Sequence, residues 1–243
     1  TGPPTTRPRT PPPRPAPPPD PDPIPEAVAD ECHQALLQAP RALAFLCERK
    51  GLPEWIVHAA KLGLARDHWR ETRFTIPIPF ADGRDGYRDI RGYRPNPGPK
   101  APKVLPWSPG RGATVYPWPW VRGGQRLVWC EGELDALNLI GRGLYAVTAT
   151  NGVQGATSNG LAIPDLHGKH FYVIGDHDPA GDQLGEKLPA RLYAAGAKTV
   201  TVLRWPETAP DGQPLPRGFD LSDWCAAGAT EADAWRLVFG DEY

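Results

Sequence analysis

Three groups of carboxylates each follow an apolar run. Leu127-Val128-Trp129-Cys130 leads into Glu131-Gly132-Glu133-Leu134-Asp135. Phe171-Tyr172-Val173-Ile174-Gly175 leads into Asp176-His177-Asp178, and Gly218-Phe219 into Asp220-Leu221-Ser222-Asp223. The first two runs read as buried parallel strands with acids at their ends, the edge at which open α/β sheets bind ligands. Carboxylates gathered there repel one another unless a divalent cation joins them. Oxygen-only donors suit Mg²⁺ or Mn²⁺, and two or more such ions are expected. Asp135, four residues after Glu131, returns to the same side of a helix turn. Asp176 and Asp178 alternate to one side of an extended stretch, and Pro179-Ala180-Gly181 opens a helix whose dipole favours negative charge. Asp220 and Asp223 would add a third edge. Ions held this way would orient a triphosphate and neutralise a leaving pyrophosphate. Glu133 and Asp182 fit helix openings and are expected to face solvent. Asp82, Asp85 and Asp89 read as turn or surface residues.

The elements that must position these acids alternate strand and helix from Arg126 onward. Strands are expected at 127–130, 145–149, 171–175 and 199–203. Helices are expected at Glu133–Ile140, at Ala180–Ala194 and, with Thr230 as N-cap, to Phe239. A Gly-rich loop is expected at 151–160. Leu184, Leu188 and Leu192 recur every fourth residue and should face the sheet, with Pro189 a kink candidate. This pattern predicts a parallel sheet with right-handed crossovers. Upstream, helices interrupted at Pro40 and a short helix over 53–60 precede an alternating strand from Arg73 to Phe80. Its prolines suggest a sheet edge. A turn at 81–84 and a second strand from Tyr87 to Tyr93 follow. Residues 94–120 look irregular, and Trp107, Trp118 and Trp120 there cover a core or stack on bases. Residues 1–25 hold 13 prolines, a composition suited to a stiff linker with something attached upstream.

Charge is divided along the chain. Residues 66–126 hold 12 Lys or Arg against 5 Asp or Glu, and residues 127–243 hold 8 against 16. A basic half joined to an acidic half fits a phosphate-rich polymer lying across a metal site. Cys32, Cys47, Cys130 and Cys225 lack zinc-site spacing and read as thiols in a reducing compartment. No run approaches the ~20 apolar residues of a membrane span, so a cytoplasmic protein without membrane contact is expected.

The segments Val128 to Leu137 and Gly175 to Gly181 resemble the Toprim domain shared by DnaG-type primases, topoisomerases and some nucleases. Gly218-Phe219-Asp220-Leu221-Ser222-Asp223-Trp224 is similar to the "D-L-N-D-W" segment of primases and phage helicase–primases. Arg73-Phe74-Thr75-Ile76-Pro77-Ile78, with Asp82-Gly83-Arg84 and Gly86-Tyr87, resembles the primase "R-x-x-F-P-I…D-x-x-G-x-x-x-G-F" stretch. Pro102-Lys103-Val104-Leu105 resembles "P-K-Y-L-N", and the helical segment 36–64 also looks primase-like. The resemblance implies a Rossmann-like Toprim sheet over 124–225, preceded by a smaller basic α+β subdomain over 26–123 and followed by a C-terminal helix within 226–243. It implies Glu131, Asp176 and Asp178 as catalytic metal acids, with Asp135 and Asp220 as accessory metal ligands. Arg73, Lys103, Arg88, Arg91 and Lys187 would meet nucleotide or DNA. The implied activity is synthesis of short RNA primers on single-stranded DNA from ribonucleoside triphosphates. The implied partners are an upstream zinc-binding domain and a replicative helicase. A Toprim-type nuclease, or a non-catalytic nucleic-acid-binding module of a replication or mobile-element protein, are the alternatives. The chain departs from the family at Val104 and Pro106, where Tyr and Asn are usual, and has no G-x-x-x-x-G-K-[ST] motif.

Overall fold

A computed structural model describes residues 21–98 and 101–240. Most of the expected proline-rich linker lies outside this range. The folded body begins by Ile24, which is buried and forms a bridge with Tyr87.

Two sheets make up the architecture. The first is antiparallel, in the order β1 (Gly63–Ala65), β2 (Arg73–Pro79), β3 (Tyr87–Tyr93), β4 (Val104–Pro106). Helices α1 (Glu26–Leu37), α2 (Pro40–Ala44) and α3 (Glu54–Ala59) precede it, with a π-helical turn at Phe45–Arg49. The proline-bearing strand β2 is internal, not an edge as its prolines suggested. The short β1 pairs only with Arg73, Phe74 and Thr75. Pro77 and Pro79 therefore lie where β2 has one neighbour and need not donate on both sides. The stretch 94–120, expected to be irregular, contains β4, β5 (Val115–Tyr116) and α4 (Trp118–Val121).

The second sheet has the order β5, β7 (Ala146–Ala149), β6 (Arg126–Trp129), β8 (His170–Val173), β9 (Thr199–Val202). Strands β6 to β9 are parallel and β5 is antiparallel. Helix α5 (Glu133–Ile140) links β6 to β7, and α7 (Pro179–Ala194) links β8 to β9. The expected Gly-rich loop at 151–160 instead holds α6 (Gly152–Thr157). Its entry depends on Asn151 in the left-handed region, φ 74, which asparagine tolerates better than most residues. The chain closes with α8 (Leu221–Ala226) and α9 (Glu231–Phe239). Thr230 caps α9 in a reciprocal box with Asp233.

Strand β6 shows how alternation builds the layers. Leu127 and Trp129 pack in one cluster with Leu184, Leu188 and Leu192 of α7. Val128, on the other face, packs in a second cluster with α8 and α9. A third cluster joins the two sheets: Leu36, Leu46, Ile56 and Ile76 pack with Tyr116 and with Leu134 and Leu137 of α5.

Leu188 has no exposed surface. Leu188→Ala is expected to lower the unfolding free energy by about 2–5 kcal/mol, seen as a lower denaturant midpoint. An unchanged midpoint would contradict the packing of α7 on the sheet.

Candidate metal and nucleotide site

From β6 the chain steps to β7 on one side, then crosses back to β8 on the other. This reversal makes the C-terminal ends of β6 and β8 a switch point, where helices leave in opposite directions and a crevice opens. Glu131 follows β6 and Asp176 follows β8. Both line a cavity of about 900 Å³, together with Asp135 from α5 and Asp220 at the start of α8. The first sheet and its helices supply the facing wall, including Lys50, Tyr93 and Lys103.

Backbone geometry holds the acids. The Asp176 N–H donates to Glu131 Oε2 at 3.3 Å, tying the two strand ends together. Asp135 Oδ1 accepts from the Ser222 N–H at 3.0 Å and the Ser222 hydroxyl at 2.6 Å, which links α5 to α8. Asp220 caps α8, accepting from the Asp223 N–H at 2.7 Å. Lys50 Nζ stands 3.7 Å from Asp220 and 3.9 Å from Asp223. The glycines of Gly175-Asp176 and Gly181 allow a tight meeting of loop and helix. A Cβ on Gly181 would fall 2.0 Å from the Asp176 carbonyl oxygen, far inside van der Waals contact. Asp178 is placed differently from its neighbour. Its Oδ1 accepts from the Ala180 and Gly181 N–H groups at 2.7 and 3.0 Å, turning the carboxylate toward the start of α7.

Burial and mutual repulsion penalise negative charge here. Burial, then the charges of Asp135, Glu131 and Asp220, push Asp176 up to about 9. Burial, then the charge of Asp220, pushes Asp135 up to about 7, although Ser222 favours its ionised form. Burial likewise raises Glu131 and Asp223. Among the described residues no three ligating side chains converge closely enough to share an ion as they are placed. The donor set nonetheless fits a hard cation, because it consists of oxygens whose ionisation a positive charge would restore.

Two acids expected at the surface are buried. Glu133 is 7% exposed and lines the cavity. It starts α5 on the side facing the first sheet, 3.9 Å from Arg91. Asp89 is 3% exposed, since β3 is covered there, and it accepts from Arg91 and from the Trp107 N–H. Asp182 lies on the exposed side of α7, as expected.

The basic residues also divide. Lys103 lines the cavity. Arg73, expected to meet phosphate or template, is 1% exposed and spends its guanidinium internally. It donates to Glu71 and to the carbonyls of Gly92, Pro102 and Lys103, fixing the stretch that carries Lys103. Arg91 is buried, and its guanidinium reaches the rim of the cavity through Asn151. Arg88 donates to the Gly112 carbonyl at 2.8 Å. Lys187 is exposed on α7 and is absent from the cavity lining. Of the tryptophans, Trp118 is core, Trp120 is 41% exposed, and Trp107 stacks on His68 with ring centroids 3.6 Å apart.

Lys50 was not anticipated from the sequence. It ends the π-helical turn, a feature frequent at functional sites. Asn138 donates to its carbonyl at 2.8 Å, and Arg142 donates to that of Gly51. Gly51 has φ 68 and no room for a Cβ against Cys225 and Ala226. The Lys50-Gly51 pair was the available signal, but nothing in its spacing connects it to acids far along the chain.

Residues 128–212 match a family model described as Toprim-like. No curated protein sequence matches the chain. Among solved structures, the zinc-binding and RNA polymerase domains of the Aquifex aeolicus primase superpose with a TM-score of 0.64 at 18% identity, over 88% of this chain and 59% of that one. The primase fragment of the bacteriophage T7 primase-helicase protein gives 0.54 at 14% identity, over 79% of this chain and 72% of that one. A bacteriophage T7 structure, in which the lagging-strand DNA polymerase interacts with primase domains bound to an RNA/DNA hybrid and dTTP, gives 0.55 at 15% identity, over 79% and 88%. The chain therefore carries a Toprim-like domain within a primase-type α/β fold. It spans 59% of the length of the Aquifex structure. Among the described residues no helix is long and apolar enough to cross a membrane.

The raised carboxyls bind more protons in the folded state than in the unfolded chain, where Asp titrates near ~3.9. Their contribution to stability is therefore full below about pH 4 and is lost as pH rises toward the folded value of about 9 at Asp176. Asp176→Asn is expected to flatten that fall in the metal-free protein and to raise its melting temperature at pH 8 by roughly 2–6 °C. Parallel melting curves for the two proteins across pH 5 to 9 would contradict the repulsion.

Proposed function

We propose that this chain is the RNA polymerase core of a DNA primase, which builds short RNA primers on single-stranded DNA by nucleotidyl transfer. One observation carries the reading. Glu131, Asp135, Asp176 and Asp220 meet in a single cavity opposite Lys50 and Lys103, at the strand ends of a Toprim-like domain. The resemblance to primase structures supports it at the level of fold.

Glu131, Asp135, Asp176 and Asp220 would hold Mg²⁺ or Mn²⁺, with Asp178 available if its helix cap opens. Bound there, such ions supply charge neutralisation for the α-phosphate and the leaving pyrophosphate. The chain's own residues bind and orient. Lys103 and Lys50 bring positive charge to the triphosphate, and Arg73 keeps the Lys103 stretch in place. The fixed donors and acids act mainly by position, as in other phosphoryl transfers. The template would track the exposed arginines of residues 66–126, Arg66 and Arg70 among them, with the His68–Trp107 stack as a platform for a base. The zinc-binding domain of the Aquifex structure and the helicase of the T7 protein suggest the classes of partner this core would serve.

The test is primer synthesis on single-stranded DNA with labelled ribonucleoside triphosphates. Asp176→Ala and Glu131→Gln are expected to lose at least ~100-fold in yield, and Lys103→Ala roughly tenfold or more. Mg²⁺ should raise the melting temperature of the wild type but not of Asp176→Ala. Equal product from wild type and Asp176→Ala would sink the mechanism, and nicking without incorporation would favour a Toprim-type nuclease.

A further inference from the structure

The lining of the cavity is chemically uneven. Carboxylates line it at the strand ends and lysines on the facing wall, whereas the entry to α6 carries uncharged polar groups, among them Asn151, Gln154 and Ser158. With the triphosphate between the acids and the lysines, the sugar and base would lie toward these uncharged groups.

Asn151 is held there by an unusual arrangement. Its backbone is left-handed, φ 74. Its side-chain oxygen accepts from Arg91 Nη2. Arginine only donates, so the atom facing it is the carbonyl oxygen and the amide NH₂ occupies the other position. Among the described residues nothing accepts from that NH₂. Arg91 is itself 2% exposed and anchored by Asp89 at 3.1 Å, and Asp89 is in turn held by the backbone of Ile90 and Trp107. Glu133 lies 3.9 Å from Arg91 Nε, and both Glu133 Oε1 and Arg91 Nε lack hydrogen-bond partners. A buried cation with an expensive environment thus fixes one amide on the rim of the cavity. Asn151 itself is exposed, so its NH₂ is open to a ligand, and an asparagine that only started a turn would require no such support.

We propose that the Asn151 amide donates to the 2′-hydroxyl of the incoming nucleotide and so selects ribonucleotides over deoxyribonucleotides, with Arg91 as its positioning residue. This rests on the nucleotidyl-transfer reading above. A template-directed site must admit four bases whose edges differ. A single rigid donor suits a group that all four ribonucleotides share, and the 2′-hydroxyl is the group that distinguishes RNA from DNA. A site built to hydrogen-bond that hydroxyl rejects the analogue lacking it.

The test compares ATP with 2′-deoxyATP, and GTP with 2′-deoxyGTP, by calorimetric titration in Mg²⁺ and by incorporation on a single-stranded template. Asn151→Asp keeps the shape and the acceptor for Arg91 but removes the donor. Asn151→Gly removes the side chain and preserves the left-handed backbone. Wild type should prefer the ribonucleotide about tenfold. In both Asn151 variants, and in Arg91→Lys, that ratio should collapse toward one while the preference between ATP and GTP stays put. A ratio retained in both Asn151 variants, or a change in base preference instead, overturns the assignment. Wild type binding both sugars equally also overturns it and leaves the primase reading standing. Failure of wild type to bind any nucleoside triphosphate removes both.

Discussion

The structure depends on a confrontation of like charges. Five carboxylates reach one cavity from the ends of β6 and β8 and from α5 and the start of α8, and two of them, Asp135 and Asp176, are pushed far from their ordinary range by burial and by neighbouring acids. A fold optimised for stability alone would not gather them. The surrounding architecture restrains the repulsion: Ser222 bonds Asp135, the Asp176 N–H reaches Glu131, and Lys50 sits beside Asp220. Acids gathered in this way cost stability, and giving up stability at a site is a common exchange for function.

Around that centre, many buried polar groups serve to hold others in place. Arg73 is as buried as a core leucine, yet its three nitrogens all bond, and they set the stretch that ends in Lys103. Asn138 of α5 and Arg142 in the turn after it brace the Lys50-Gly51 corner. Helix α5 thereby carries Asp135 on one turn and steadies a facing lysine from another. Supporting contacts of this kind set the precision of a site as much as the residues that touch substrate.

The Toprim half was largely legible in the sequence, and the reasons are local. Helix α5 runs over Glu133–Ile140 as its pattern required, and Leu184, Leu188 and Leu192 are all fully buried on α7. Strong periodicity and unbroken apolar strands leave few alternatives. The failures are equally local. Pro77 and Pro79 signalled an edge, but the sequence carries no sign that β1 would be too short to reach them. Glu133 and Asp89 are of types that favour solvent, and nothing local in the sequence marks the face that the first sheet covers. The resemblance alone sets Arg73 and Arg91 at nucleotide or DNA, and it carries no sign that their guanidinium groups also bond within the protein, Arg73 to Glu71 and three carbonyls and Arg91 to Asp89 and Asn151. Lys50 was missed because its neighbours in space lie more than 80 residues away.

The third hydrophobic cluster has a mechanical consequence. Leu134 and Leu137 share it with Leu36, Leu46 and Ile76, so the helix that bears Asp135 is welded to the elements of the opposite wall. An apolar seam joins the two sides of the cleft, and opening it by a rigid swing would expose that cluster to water. Any change in the width of the cleft then falls to its rim, to the segment 110–113 and the entry to α6, and not to a hinge between the two sheets.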